Sequence, residues 1–335
     1  MPRVFDVDIK YKLEELESVL RKRYRIEHPV KYRDWRTYEQ EFSYRIQKAI
    51  ASLDPLISEA VSSIKVAKGP GKPGKLTLEQ KVKLLLIKQL VGESNRMFSN
   101  MLAIFSMLSR VTVSYKSIER LYSDEKVMIA LYNLHTIMLK KKGLELSDAT
   151  GDGTGYSLTI TKHYNSFARE RREKAKEQSS DGGKMKSFAF TFRLMDLGTR
   201  MYIAYGSSTR SEKDAYLKAI TMLESMDVHL KSVRLDRYYS YPSYVKDFKD
   251  TDVYIIPKKN ATLNGPLKWR EIMKEFILNT PSYMEEYHKR SNSESSFSAD
   301  KKMLGWNVAQ RRDDRIDCAL SSIGVWHNLF QLGRP

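Results

Sequence analysis

YHKRSNSESSFSADK, running from Tyr287 to Lys301, carries four chemically distinct side chains at steps of three, four and seven: Tyr287, Arg290, Glu294 and Lys301. On a helix of about 3.6 residues per turn those steps return to nearly one angle. The spacing therefore predicts a single helical face bearing a phenol, a guanidinium, a carboxylate and an ammonium. Phe297 and Leu304, three positions beyond Glu294 and Lys301, are placed to seat the same helix on a core. Two readings fit. One is a solvated amphipathic helix with an i,i+4 Arg–Glu pair. The other is a site for a metal-bound phosphodiester, where the acid holds the metal and the two cations hold phosphates.

Composition narrows the field. The chain of 335 residues is long enough for one large domain and a smaller one, and its 41% hydrophobic content is that of a folded protein. A net charge of +17 favours a polyanionic partner, nucleic acid first and an anionic membrane surface second. No apolar run is long enough to span a bilayer, and MPRVFDVDIK at the start lacks a signal-peptide pattern. The expectation is a soluble, cytoplasmic, nucleoid-associated protein without membrane contact. The single cysteine, Cys318, excludes an internal disulfide and a multi-cysteine zinc site. The six histidines show no paired metal-ligand spacing, and neither HExxH nor GxSxG occurs.

Upstream of residue 143 the chain reads as all helix, in two blocks. Residues 1–65 form a basic helical region, with RKRYR (21–25), Lys31, Arg33 and Arg36 interleaved with Trp35 and Tyr38: either a solvated helix face or a phosphate-contacting arm. A Gly/Pro/Lys linker at 66–75 separates it from 76–142. There a capping box, Thr77-x-x-Gln80, opens a helix, and helices over 95–108 and 115–122 have helix-turn-helix proportions. That pair either belongs to a plain bundle or offers Tyr115, Lys116, Ser117 and Arg120 to a major groove.

From Gly143 onward the texture changes to strands. They are expected at 146–161, 187–197, 200–208, 233–239 and 252–259, with a tight turn at Gly198, a charged helix and a Ser/Gly loop sharing 168–184, and helices over 212–226, 267–278 and 317–332. The order is three strands, helix, strand, helix, strand, then helices. GDGTG (151–155) is not a dinucleotide loop, because Tyr156 stands where the third glycine belongs and a strand follows.

Tyr-x2-Arg-x3-Glu-x6-Lys, matched without a gap at 287–301, resembles the signature of a large group of bacterial and archaeal insertion-sequence transposases. The resemblance covers about Gly143 to Trp306. It implies an α/β ribonuclease H-like catalytic domain over 143–335, a mixed five-stranded sheet with flanking helices, preceded by an all-α DNA-binding region. It makes Glu294 the third acid of an Asp-Asp-Glu triad. VRLDRYY supplies a second-aspartate motif at Asp236, with Arg237 as the following basic residue. The first acid has two candidates in tandem, Asp148-Ala-Thr-Gly and Asp152-Gly-Thr-Gly. Asp152 is preferred because GTGYSL continues as strand; Asp148 is the alternative.

Three carboxylates on one sheet edge repel unless divalent cations neutralise them, and hard oxygen ligands favour Mg2+, with Mn2+ possible. The resemblance further implies that Tyr287 and Arg290 grip phosphates beside the scissile bond and that Lys301 holds the strand near its reactive 3′ end. Double-stranded DNA, as transposon ends and target, is the expected partner, bound by a dimer; Arg237, Lys116 and Arg120 add contacts. Asp236 and Glu294 stand 58 positions apart. That is too close for the large β insertion with which some members protect a DNA hairpin. The function implied is a transposase that cuts and joins DNA. The alternatives are a DNA-binding protein without catalysis and a metal-dependent nuclease without strand transfer.

Overall fold

The computed structural model describes residues 4–16, 22, 26, 34–65, 75–92, 95–109, 113–158 and 188–333. All of RKRYR but Lys22, together with Lys31, Arg33, the linker over 66–74 and the charged segment over 168–184, lies outside the described residues.

The front half is helical: α1 (Asp6–Glu15), α2 (Trp35–Ser62), α3 (Leu78–Val91), α4 (Asn95–Ser109), α5 (Tyr115–Leu121) and α6 (Glu125–Lys141). Caps account for several starts. The Thr77 hydroxyl accepts from Gln80 N while the Gln80 carboxamide accepts from Thr77 N, so α3 opens on a complete capping box. Asp34, Ser114 and Asp124 cap α2, α5 and α6.

The sheet follows: β1 (Leu146–Leu158), β2 (Phe188–Asp196), β3 (Tyr202–Ser208), β4 (His229–Leu235), β5 (Asp252–Tyr254) and β6 (Asn307–Val308). Its spatial order is β3-β2-β1-β4-β5. β1 and β2, like β2 and β3, are antiparallel; β4 runs parallel to both β1 and β5, and the short β6 pairs in parallel with the end of β1. The helices α7 (Glu212–Glu224), α8 (Pro242–Val245), α9 (Leu267–Leu278), α10 (Thr280–His288), α11 (Ser291–Leu304) and α12 (Asp313–Leu332) complete the chain. The molecule is thus a mixed sheet with flanking helices, preceded by an all-α region.

Four sequence expectations change. The strand expected over 233–239 begins at His229 and stops at Leu235, because the Asp236 carboxylate accepts from Tyr238 N and turns 237–239 into a 3-10 turn. The strand expected over 252–259 ends at Tyr254. Beyond it the Tyr283 hydroxyl accepts from Ile255 N and donates to Ile255 O, replacing a neighbouring strand, and Pro257 has no N–H to offer a ladder. The turn between β2 and β3 is organised less by Gly198 than by Asp196, whose carboxylate accepts from Thr199 N and Oγ1; the left-handed residue is Arg200, at φ 64°.

The fourth change concerns the Tyr287–Lys301 face. It lies on two helices, because the chain tightens at Lys289–Arg290. The bonds there run from residue i to i−3: Arg290 N to Tyr287 O, Asn292 N to Lys289 O and Ser293 N to Arg290 O. Ser293 Oγ and Asn292 Nδ2 donate to the Arg290 and Lys289 carbonyls, so short polar side chains compete with the helical ladder.

α12 is the structural centre. Thirteen of its twenty residues are buried. It packs on β3, α2, α3 and α6, and meets α11 only lightly. The Trp326 indole N–H donates to Leu86 O on α3, and Asn328 bonds both Tyr202 N and Tyr202 O on β3. One buried apolar cluster runs from Ile9 to Phe330 through sheet and front helices alike.

Candidate active site

The parallel register sets the first two acids side by side. Gly151 pairs with Leu235, so the next positions, Asp152 and Asp236, are neighbours where β4 ends. α11 brings the third acid over them. The Arg290 guanidinium lies among all three: Nη1 is 2.9 Å from Asp152 Oδ2 and 3.7 Å from Asp236 Oδ1, and Nη2 is 2.7 Å from Glu294 Oε1. Asp152 and Asp236 therefore reach the same nitrogen. Asp148 does not join them. It sits four residues back along β1, about 13 Å at strand rise, and accepts from Ser232 Oγ with Arg234 Nη1 at 3.8 Å.

The environment differs between the acids. The Asp152 side chain is only 14% exposed, against 38% for Asp236 and 59% for Glu294. Burial pushes the Asp152 carboxyl up to about 6; Arg290 and the Gly153 N–H pull it down, while Asp236 and Glu294 push it up. All three acids present oxygen to one cation, a donor chemistry that also suits a hard divalent ion. Among the described residues, no three His, Cys, Asp or Glu side chains as they stand draw close enough to enclose a metal.

Of the remaining motif residues, Lys301 Nζ donates to Thr154 Oγ1 at 2.7 Å, two positions beyond Asp152 on the same strand face. Its ammonium lies 5.2 Å from the Tyr156 ring. Tyr287 is buried against the site, its ring 6.0 Å from the Arg290 guanidinium, and burial pushes its phenol up to about 12.

Three sets of residues escaped sequence reasoning. Arg193 on β2 is 1% exposed and donates to Asp300 Oδ2 at 2.7 Å; the Tyr202 hydroxyl donates to the same oxygen, and His327 Nδ1 to the other. His327 Nε2 faces Arg200 O at 2.7 Å. Both ring nitrogens of His327 thus face oxygen atoms. This network ties α11 to β2, β3 and α12, one residue before Lys301. Next, Arg234 on β4 donates through Nε to Glu286 O and pairs with the Glu286 carboxylate, anchoring α10 beside Tyr287. Finally, Glu212 at the start of α7 bonds the Tyr239 hydroxyl and fills the space beside Gly153, where an added Cβ would come within 2.4 Å of its carboxyl carbon. The available signals were an arginine inside each of two apolar strands, FRLM and VRLD, and the first glycine of Asp-Gly-Thr-Gly, Gly153.

Over 319 residues, 95% of this chain and 92% of the relative, the sequence is 40% identical to the probable transposase for insertion sequence element ISA1214 of Archaeoglobus fulgidus. The chain belongs to the insertion-sequence transposases. No family model matches it. In this transposase, no helix among the described residues is long and apolar enough to cross a membrane. Arg237 opens the 3-10 turn directly after Asp236. Lys116 and Arg120 are exposed on α5, while Ile118 and Leu121 of the same helix are buried. Lys116 pairs with Glu119 at 3.3 Å, and the transposase holds α5 to α12 through an Arg315–Glu119 ion pair.

Proposed function

We propose that this transposase acts on DNA by Asp-Asp-Glu chemistry on a ribonuclease H-like sheet. The strand order β3-β2-β1-β4-β5, with α7 between β3 and β4, supports that fold. The observation that carries the chemistry is the convergence of Asp152, Asp236 and Glu294, from the middle of β1, the end of the adjacent β4 and a late helix, on the Arg290 guanidinium.

In this reading Asp152, Asp236 and Glu294 hold Mg2+, or Mn2+ in its place. Bound there, the metal supplies a nucleophile from water or a DNA 3′-hydroxyl and stabilises the leaving oxygen of an in-line displacement. Arg290 balances the acids in the free protein and is the nearest cation to a phosphate entering the site. Tyr287 backs the guanidinium at the DNA contact, Lys301 holds the strand from the other side of Asp152, and Arg237 adds a phosphate contact beside Asp236. The regions 1–65 and 76–142 bind terminal inverted repeats, with Lys116 and Arg120 on the outward side of α5, and 143–335 is the catalytic unit. Two transposon ends call for a dimer on DNA.

The test uses a duplex ending in the element's terminal repeat. Mg2+-dependent cleavage and joining should be lost in Asp236→Ala and Glu294→Ala while repeat binding persists. Strand joining that survives Glu294→Ala would sink the triad.

A further inference from the structure

Asp236 is followed by a 3-10 turn whose residues point in different directions. Tyr239 is fully buried, but Tyr238 is 47% exposed, and Tyr241, just past the turn, is 48% exposed. Both rings are held. Tyr238 stands edge-on to Tyr239 with centroids 5.1 Å apart, and Tyr241 leans on Tyr244 at 6.5 Å; Tyr239 and Tyr244 themselves pack against Tyr216. The Lys258 ammonium, from the segment after β5, lies 3.6 Å from the Tyr241 centroid and 5.8 Å from that of Tyr238. Beside the most accessible strand-end acid of the site there is thus a rigid pair of half-exposed rings with a cation between them. A similar pairing stands on the other flank, where Lys301 lies 5.3 Å from the ring of Trp306, itself 57% exposed.

We infer that Tyr238, Tyr241 and Lys258 form a platform for an unpaired nucleotide next to the cleaved phosphate, the rings stacking on its base and the ammonium meeting its phosphate. Within an intact duplex the base faces are already covered by their neighbours, so an exposed phenol ring finds a partner only on an unstacked base. Stacking of that kind is tolerant of sequence and strong enough to matter, and Lys or Arg beside the ring adds backbone attraction. The buried aromatic layer beneath keeps the two outer rings in place before the strand arrives, which lowers the cost of ordering them. Trp306 with Lys301 supplies the same kind of surface beyond Asp152, so the strand is supported on both sides of the acids.

The inference rests on the DNA-cutting reading, and the experiment separates the two. Full-length protein, without divalent ions, is titrated into labelled oligothymidylate and into duplex of the same length. The double variant Tyr238→Ala, Tyr241→Ala should lose about tenfold in single-strand affinity and keep its duplex affinity. The pair Tyr238→Phe, Tyr241→Phe keeps the ring faces and should bind like wild type, while Lys258→Ala should flatten the salt dependence of single-strand binding. An alanine pair that binds single strands as wild type does, that weakens on both forms equally, or that is matched in weakness by the phenylalanine pair overturns the platform. In the same experiment, Mg2+-dependent cutting of a repeat-ended duplex by wild type but not by Asp236→Ala keeps the enzyme reading whatever the tyrosines do. Wild type that binds neither form of DNA overturns both.

Discussion

At the residue scale, charge burial governs what each change will do. Burial pushes the Asp300 carboxyl up, and His327, Arg193 and the Tyr202 hydroxyl together pull it further down, so it lies below the usual carboxylate range. Removing that charge leaves the Arg193 guanidinium buried without a counter-ion and His327 without its carboxylate partner. Asp300→Asn should therefore destabilise the fold by about 3–5 kcal/mol in urea unfolding, a loss that shrinks as pH falls through the depressed carboxyl. Asp152 has the opposite sign. Its folded-state value, about 6, exceeds the ordinary 3.8, so the metal-free fold prefers the protonated form. That extra stability is fully present below the ordinary value and is lost as pH rises through 3.8 to about 6. Asp152→Asn, melted in chelator at pH 7, should gain up to about 3 kcal/mol over wild type, with no gain at pH 3.5. If the acids hold Mg2+, adding it should raise the wild-type melting temperature and leave the variant's unchanged.

At the scale of elements, close approach and local competition set the geometry. α7 lies so near β3 that a Cβ on Gly206 would come within 2.1 Å of Ala215 O and 2.6 Å of Ala219 N, both backbone atoms. Gly206→Ala should push α7 off the sheet and cost more than about 3 kcal/mol in chemical denaturation; an unchanged midpoint would show that the helix can slide. Most elements were legible in the sequence: α9 over 267–278 has the bounds its periodicity predicts, β1 starts at Leu146 as expected and is strand as far as it is described, and β3 begins two residues later than expected. The failures have local causes. Periodicity carries no record of Tyr283 taking over the β5 ladder, and the Tyr287–Lys301 spacing implies one helix because Ser293 and Asn292 bond backbone carbonyls that a wheel diagram ignores.

For the whole molecule, α12 is the decisive element. It joins the front helices to the sheet, so a chain ended at Arg312 should lose cooperative unfolding, as followed by far-ultraviolet circular dichroism on heating. The charge of +17 makes a second prediction. Affinity for repeat-ended DNA should fall about a thousandfold between 50 and 200 mM salt if several phosphates are neutralised, and a flat response would remove the basic surface from recognition.

The order of strands and helices, the apolar faces and the four-residue motif at 287–301 are properties of the chain itself, because periodicity and spacing are local and survive without neighbours. Contact between distant side chains is not local. That Asp152, and not Asp148, meets Asp236 follows from the register in which Gly151 pairs with Leu235. That Arg193 and Arg234 are buried cations fixing α11 and α10 follows from which carboxylates the fold carries over them. Side-chain positions along a strand repeat every two residues, so both aspartates project from one face of β1, and only the strand beside them distinguishes one from the other.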